Sequence, residues 1–99
     1  DPAANRALGQ RLAAERGWTG EQWACLDALW GRYESGWRST ADNPTSAAFG
    51  IPQANPGSNM GAGWQHDAER QIRWGLGYVA GRYGTPCRAL AFRLDRGWY

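Results

Sequence analysis

A single apolar stripe constrains the fold of this chain more than any other feature of the sequence. Its members follow one another at steps of three or four residues: Trp23, Leu26, Trp30, Tyr33 and Trp37. This spacing is typical of one face of a helix. It predicts a central helix over about residues 20 to 35, begun by a capping box over residues 19 to 22 and ended by Gly36.

Three further helices are predicted from caps and apolar spacing. The first spans residues 1 to 17 and is expected on the surface, because it has few large apolar residues. Another spans residues 67 to 84. The last begins at a Thr-Pro pair and spans residues 85 to 95, with Leu90 and Leu94 as core positions. The chain is therefore expected to be mainly α.

Residues 38 to 63 have a different character, with proline or glycine every few residues. This pattern predicts a loop with one or two short helical turns and a scrap of β structure. So long an irregular segment is uncommon in a small domain unless it has a function. The third helix contains Gly75, Gly77 and Gly81, each costing about 1 kcal/mol relative to alanine. Close helix packing is the favoured compensation, with close approach of a ligand as the alternative.

The composition indicates one soluble domain over residues 1 to 99, expected to be a monomer. The net charge is only +2, and all eleven basic residues are scattered arginines, which argues against a nucleic-acid binder. No apolar run approaches the ~20 residues that span a membrane, so no membrane insertion is expected. No signal peptide is recognisable, and such a segment is expected to have been removed or to lie outside this sequence.

The two cysteines, Cys25 and Cys87, are far apart in the sequence. In a small domain this favours a disulfide and an oxidising compartment, with two free buried thiols as the alternative. Closing such a loop would stabilise the fold by roughly 4 kcal/mol in the chain-entropy model.

Glu34 is the candidate for chemistry. It lies in the last turn of the central helix, where the helix dipole opposes a carboxylate, and Trp30 and Trp37 flank it in sequence. Both effects are expected to raise its pKa, as a general acid near neutral pH requires. Taken alone, a glutamate in a last turn is more often a solvated surface residue.

No second carboxylate pairs convincingly with Glu34, although glycosidases usually need two. Asp27 lies about 10 Å away along a helix axis, which is further than either usual geometry. Asp42 follows in the loop at a distance that the sequence leaves open. This favours chemistry with a single acid and base, in which the substrate supplies the nucleophile. His66 is the only histidine, so no histidine metal cluster and no cofactor are expected.

Several motifs in order resemble soluble lytic transglycosylases and goose-type lysozymes. They are Glu34-Ser35-Gly36-Trp37, Ala47 to Gln53, and Gln71 to Gly84, with Gln53 nineteen positions after Glu34. The residues of these motifs, and the segment Arg-Tyr-Gly-Thr-Pro-Cys, are similar to those of a compact subgroup of this family in actinobacteria and their phages. The resemblance covers residues 18 to 99, beyond an N-terminal helix over residues 1 to 17.

The resemblance implies a lysozyme-like fold and cleavage of the MurNAc–GlcNAc bond of the peptidoglycan glycan strand. The product would be a 1,6-anhydro sugar. It implies an extracellular, cell-wall or phage-virion location. By position, Glu34 corresponds to the catalytic acid and base, and Ser35 to a supporting residue. The substrate-binding candidates are Asn43, Phe49, Gly50, Gln53, Tyr78 and Tyr99.

The sequence also departs from the family pattern. Pro52 replaces the usual methionine, and the later Ala-Tyr-Asn-Ala-Gly motif is not recognisable. A tyrosine that helps to position the acid in relatives is therefore missing or replaced, with Tyr99 as the candidate. Two alternatives stay open: a hydrolysing muramidase, and a noncatalytic peptidoglycan-binding module on the same fold.

Overall fold

Four α-helices begin and end close to the predicted positions in the computed structural model, which describes residues 1 to 99. They are α1 (Pro2–Glu15), α2 (Gly20–Ala28), α3 (Ala68–Arg82) and α4 (Pro86–Arg96). A π-helical turn, Leu29–Glu34, continues α2 without a break, and 3₁₀ turns span Gly57–Met60 and Trp64–His66. The chain is mainly α and forms no sheet. No helix is both long and apolar enough to cross a membrane.

Three of the four predicted helix starts are capped as expected. The side chains of Asp1, Asp67 and Thr85 accept hydrogen bonds from backbone N–H groups in the first turns of α1, α3 and α4. The capping box before α2 was wrong, because Thr19 makes no such bond. The Gln22 side chain instead accepts the backbone N–H of Cys87 at 3.0 Å, since α4 packs against the start of α2.

The predicted disulfide is confirmed between Cys25 and Cys87, whose Cα atoms lie 5.0 Å apart. It joins α2 to α4. With the Gln22 contact beside it, this crosslink fixes the helix that leads to Glu34 against the helix that carries Arg93.

The central helix fills the core as its stripe predicts. Leu26, Leu29 and Trp30 are fully buried, and Trp37 is nearly so. The indole of Trp37 packs on the ring of Trp30 with centroids 5.4 Å apart. The first helix is largely exposed, as expected, but it buries Leu12 and Ala13 against this core.

Leu94 was wrongly predicted as a core position of α4, since it is 57% exposed, whereas Leu90 packs against the core. In the last turn of α4 the inward position belongs to Arg93, which reaches Glu34. The last turn of α4 therefore contacts the central helix through the polar side chain of Arg93, and not through Leu94 as the apolar spacing predicted.

The packing explanation holds for one of the three glycines of α3. A Cβ on Gly75 would lie 2.5 Å from the Trp30 ring and 2.8 Å from Pro52, so only glycine lets α3 approach the central helix this closely. Gly77 and Gly81 are exposed, and a Cβ there would meet no close neighbour. Nothing in the structure explains these two glycines.

The irregular segment between α2 and α3 has the predicted character. Isolated β-bridges pair Phe49 with Asp42 and with Ala54, and the two 3₁₀ turns follow. The bridges fold the segment back on itself beside the end of the central helix. There it forms one wall of a cleft next to Glu34.

Candidate functional site

Glu34 is the last residue of the π-helical turn, Leu29–Glu34, that ends the central helix. The backbone N–H groups of Ser35 and Gly36 both donate to the carbonyl of Trp30, at 3.0 and 2.9 Å. Gly36 then adopts a φ of 66°, which glycine takes without strain, and the chain leaves the helix. Single π-helical turns are rare and often occur at functional sites. This one leaves 13% of the Glu34 side chain exposed.

A cleft of about 470 Å³ opens beside this carboxyl. Its lining includes Glu34, Asn43, Gln53, Arg93 and Tyr99. A second pocket of about 270 Å³ continues the cleft and shares four lining residues with it: Gln53, Asn55, Trp98 and Tyr99. We call the two pockets together the groove. Glu34 is the only side-chain carboxylate, and Arg93 the only cationic side chain, among the groove residues.

Arg93 is the direct partner of Glu34. Its Nε donates to Glu34 Oε2 at 2.7 Å, and its Nη2 donates to the carbonyl of Tyr33 at 3.1 Å. The guanidinium also lies over the Tyr33 ring, 5.6 Å from the centroid. These three contacts come from α4 and join its last turn to the end of the central helix.

Burial and Arg93 act on Glu34 in opposite directions. Burial is the larger effect and raises the pKa of Glu34 above its ordinary value, while the hydrogen bond and positive charge of Arg93 lower it. The net direction is the one that a general acid requires. The ion pair is therefore the feature that favours the charged form of this carboxyl.

Ser35 holds the irregular segment against the helix end. Its hydroxyl is buried and donates to the carbonyl of Ile51 at 2.6 Å. The Ile51 N–H in turn donates to Oε1 of Gln71, a residue of α3, at 2.9 Å. Ser35 thus has the supporting position expected of it, and the fully buried Gln71 is a second support that the sequence analysis did not single out.

Gln53 lines both pockets of the groove. Its Nε2 donates to the carbonyls of Ala41 and Gly50, each at 3.0 Å, so both amide hydrogens are used inside the protein. The opposite amide orientation would set the side-chain oxygen against two carbonyl oxygens. Gln53 therefore keeps only its oxygen for a ligand, as an acceptor.

Asn43 is complementary to Gln53. Its Oδ1 accepts from both the backbone N–H and the hydroxyl of Thr45, each at 2.9 Å. The NH₂ group makes no bond within the protein and remains as a donor at the cleft. The two amides thus offer one donor and one acceptor to a ligand beside Glu34.

Phe49 and Gly50 do not line the groove, although they were expected to bind substrate. The Phe49 ring packs edge-on against Trp64, 4.9 Å between centroids. Gly50 is buried with a φ of 80°, and a Cβ there would lie 2.6 Å from the Gln71 side chain. Both residues shape the segment that carries Gln53 rather than facing a ligand.

Tyr78 does line the groove, together with two tryptophans. Its ring stacks on Trp74 at 5.2 Å between centroids and 11° between planes. Trp98 is 51% exposed and lines both pockets, with its ring edge-on to Phe92. The sequence analysis did not single out Trp74 or Trp98 as site residues.

Tyr99 lines the groove, but its hydroxyl makes no hydrogen bond to Glu34. The hydroxyl accepts the indole N–H of Trp30 at 2.8 Å and donates to the carbonyl of Pro52 at 2.7 Å. Burial raises the pKa of Tyr99 well above its ordinary value, and the charge of Glu34 adds to this. The Tyr99 hydroxyl thus joins the central helix, through Trp30, to the irregular segment, through Pro52.

The chain matches no known protein family, curated protein or solved structure.

The other acidic candidates are not in the groove. Asp27 accepts two hydrogen bonds from the Arg6 guanidinium and one from the indole N–H of Trp37, and these donors lower its pKa. Asp42 is exposed and lines neither pocket. No three histidine, cysteine or acidic side chains converge on a possible metal position.

A larger and shallower depression of about 660 Å³ adjoins the groove through Trp74. Its arginines, Arg70 and Arg73, are engaged by Asp67 and Glu69 within α3 and at its start. These exposed charges already pair with each other, and the depression contains no buried carboxyl comparable with that of Glu34.

Proposed function

We propose that this chain cleaves the MurNAc–GlcNAc bond of bacterial peptidoglycan, with Glu34 as its only acid and base. The observation that carries the proposal is a largely buried glutamate, its pKa raised, as the only side-chain carboxylate in an elongated groove. The motif resemblance over residues 18 to 99 to soluble lytic transglycosylases supports it, and so does the mainly helical fold.

The proposed reaction balances with one carboxyl group. Protonated Glu34 donates its proton to the glycosidic oxygen as the bond from that oxygen to C1 of MurNAc breaks. The C6 hydroxyl oxygen of the same MurNAc then bonds to C1, and its proton passes to the Glu34 carboxylate. The acid is regenerated, no water is consumed, and the product is a 1,6-anhydro end.

The groove residues match the chemical groups that a glycan presents. The acceptor of Gln53 and the donor of Asn43 suit the hydroxyl and acetamido groups that sugars present. The aromatic rings of Tyr78 and Trp98, which line the groove, suit the apolar faces of sugar rings. A groove with one charged pair and several aromatics fits a polymer of N-acetylated sugars better than a polyphosphate, which would require clustered cations.

The proposed location is outside the cytoplasm, at the cell wall or on a phage virion that digests it. The Cys25–Cys87 disulfide supports this, because such bonds persist in oxidising compartments.

The test compares the parent chain with Glu34→Gln on a suspension of purified cell walls. We expect the parent to clear the suspension, and the variant to sediment with the walls without clearing them, since the groove is intact and the acid is gone. Equal clearing rates for the two proteins would reject Glu34 as the acid. Near-ultraviolet circular dichroism would verify that the variant is folded.

One observation favours a second candidate, a wall-binding module that does not cleave. Arg93 holds the Glu34 carboxyl in a close ion pair, as in a purely structural contact. In that case both proteins would sediment with the walls and neither would clear them.

A further inference from the structure

Arg93 has more hydrogen-bonding capacity than the protein uses. A guanidinium carries five N–H donors. One bonds Glu34 and one bonds the carbonyl of Tyr33, and the other three have no partner within the chain. The residue is 23% exposed along its side chain and lines the cleft. Free donors of a cation therefore border the cleft where a substrate would lie.

The guanidinium is also held rigidly. Its bond to the Tyr33 carbonyl and the Tyr33 ring, 5.6 Å from the guanidinium, hold the plane without the help of Glu34. A second arginine, Arg32, lies over the same ring at 5.7 Å. A planar fork that is fixed in advance is the arrangement that recognises carboxylates most strongly, because little side-chain entropy is lost on binding.

No other cationic side chain lines the groove. Arg32 and Arg82 lie over the rings of two groove residues, Tyr33 and Trp98, but line neither pocket. Arg70 and Arg73 border the adjoining depression and are paired within α3 and its cap. The groove itself contains no second cation. An anionic group on the ligand thus has one partner in the groove, and that partner already holds the proposed acid.

We propose that Arg93 determines specificity by binding a carboxylate of the glycan substrate, and that this carboxylate displaces Glu34 from Arg93. The inference rests on the proposed function and names the feature of the substrate that the groove recognises. The carboxylate has two possible sources with the same chemistry, the lactyl group of a muramic sugar that lacks its peptide, and an acidic residue of an attached stem peptide.

The exchange would couple recognition to catalysis. In the free protein the pair consists of a guanidinium and the Glu34 carboxylate. When the substrate carboxylate takes the guanidinium, the largely buried Glu34 loses its counter-charge and takes one proton from solvent. That proton is the one it then donates to the glycosidic oxygen. A neutral glycan would lack this trigger and would leave Glu34 paired.

The experiment measures kcat/KM on pairs of glycans that differ only in charge. The first pair is peptide-free glycan with lactyl carboxylates, native or amidated. The second is peptide-bearing glycan with stem carboxylates, native or amidated. The proteins are the parent, Arg93→Gln, Arg93→Lys and the control Arg88→Gln, which removes an exposed arginine of α4 outside the groove.

We expect the parent to prefer the charged member of at least one pair by about tenfold, the effect of one charge-assisted hydrogen bond. The pair that shows the preference identifies the source of the carboxylate. Arg93→Gln should reduce the preference to near one, because the variant can no longer recognise the charge that distinguishes the two glycans. Arg88→Gln should keep the full preference.

Two results would overturn the inference while leaving the proposed function intact. One is a parent that cleaves charged and amidated glycans equally. The other is an Arg93→Gln variant that slows both by the same factor, which is the behaviour of a structural clamp. If Arg93→Gln does not fold, Arg93→Lys gives the same readout, with an intermediate preference expected. A parent that cleaves none of the glycans would instead reject the proposed function.

Discussion

The hydroxyl of Ser35 donates to the carbonyl of Ile51 at 2.6 Å, and this buried bond joins the residue after Glu34 to the segment that carries Gln53. Glu34 and Gln53 come from two segments that no regular sheet or helix pair joins. Their mutual position therefore depends on a few side-chain bonds, which makes those bonds testable.

Ser35→Ala should lower the free energy of unfolding by about 1 to 3 kcal/mol, because it leaves the buried Ile51 carbonyl without this donor. If the proposed function holds, it should also lower kcat more than it changes KM, since the wall of the groove loses its register with the acid. Urea unfolding and steady-state kinetics measure the two effects. Ser58→Ala, at an exposed position, is the control and should change neither. Unaltered stability in Ser35→Ala would contradict the assigned role.

Removing the hydroxyls of two neighbouring tyrosines should have opposite consequences. Tyr99→Phe loses the bonds to Trp30 and Pro52 and should destabilise by roughly 1 to 3 kcal/mol. Tyr83→Phe removes a buried hydroxyl that has no hydrogen-bond partner, so it should be neutral or stabilising by up to about 1 kcal/mol. The melting temperatures of both variants measure these changes in stability. A larger loss of stability in Tyr83→Phe than in Tyr99→Phe would refute the contacts described.

Alanine at two glycines of α3 should also separate packing from propensity. Gly75→Ala forces a methyl group against Trp30 and Pro52 and should destabilise by about 1 to 3 kcal/mol. Gly81→Ala meets open space on an exposed helix face and should stabilise by about 0.5 to 1 kcal/mol. Melting temperatures give the signs, and a stabilised Gly75→Ala would mean that α3 does not pack as described.

The raised pKa of Glu34 predicts a definite sign for the dependence of stability on pH. The folded chain binds this proton more tightly than the unfolded chain, in which the pKa is about 4.3. The contribution of Glu34 is therefore fully present below that value and is lost as the pH rises through the folded pKa. Relative to the parent, Glu34→Gln should gain stability as the pH rises across this window.

Urea unfolding of the parent and Glu34→Gln at several pH values measures this difference. Carbon-13 NMR of labelled glutamate carboxyls, with the variant identifying the Glu34 signal, reads the pKa itself. We expect a value above the ordinary one in the parent and a further rise in Arg93→Gln, because Arg93 favours the charged form. A fall in Arg93→Gln would contradict the opposition between burial and the ion pair.

Much of the fold could be predicted because its signals are local. The stripe from Trp23 to Trp37 sets the central helix, and the caps Asp67 and Thr85 set two of the others. The disulfide could be predicted from the cysteine count and the size of the domain. Thr19 and Leu94 were misassigned because contacts between distant segments, through Gln22 and Arg93, decided those positions.

The site was less predictable for the same reason. Glu34 and Gln53 are found from motif and spacing, and they do meet in one cleft. The partner of Glu34 is 59 positions away on α4, and nothing in the local pattern of Arg93 distinguishes it from other helix arginines. The π-helical turn likewise has no signal in the sequence that we recognise. Exposed Trp98 follows a predicted helix stop, which leaves its packing undetermined until the fold is known.

The central claim is that a single carboxyl cleaves the glycan without water. Mass spectrometry of the fragments released from purified peptidoglycan tests it most directly, with Glu34→Gln as the inactive control. We predict muramic ends lighter by one water than ordinary reducing ends, and no fragments from the variant. Ordinary reducing ends, or equal release by the variant, would contradict it.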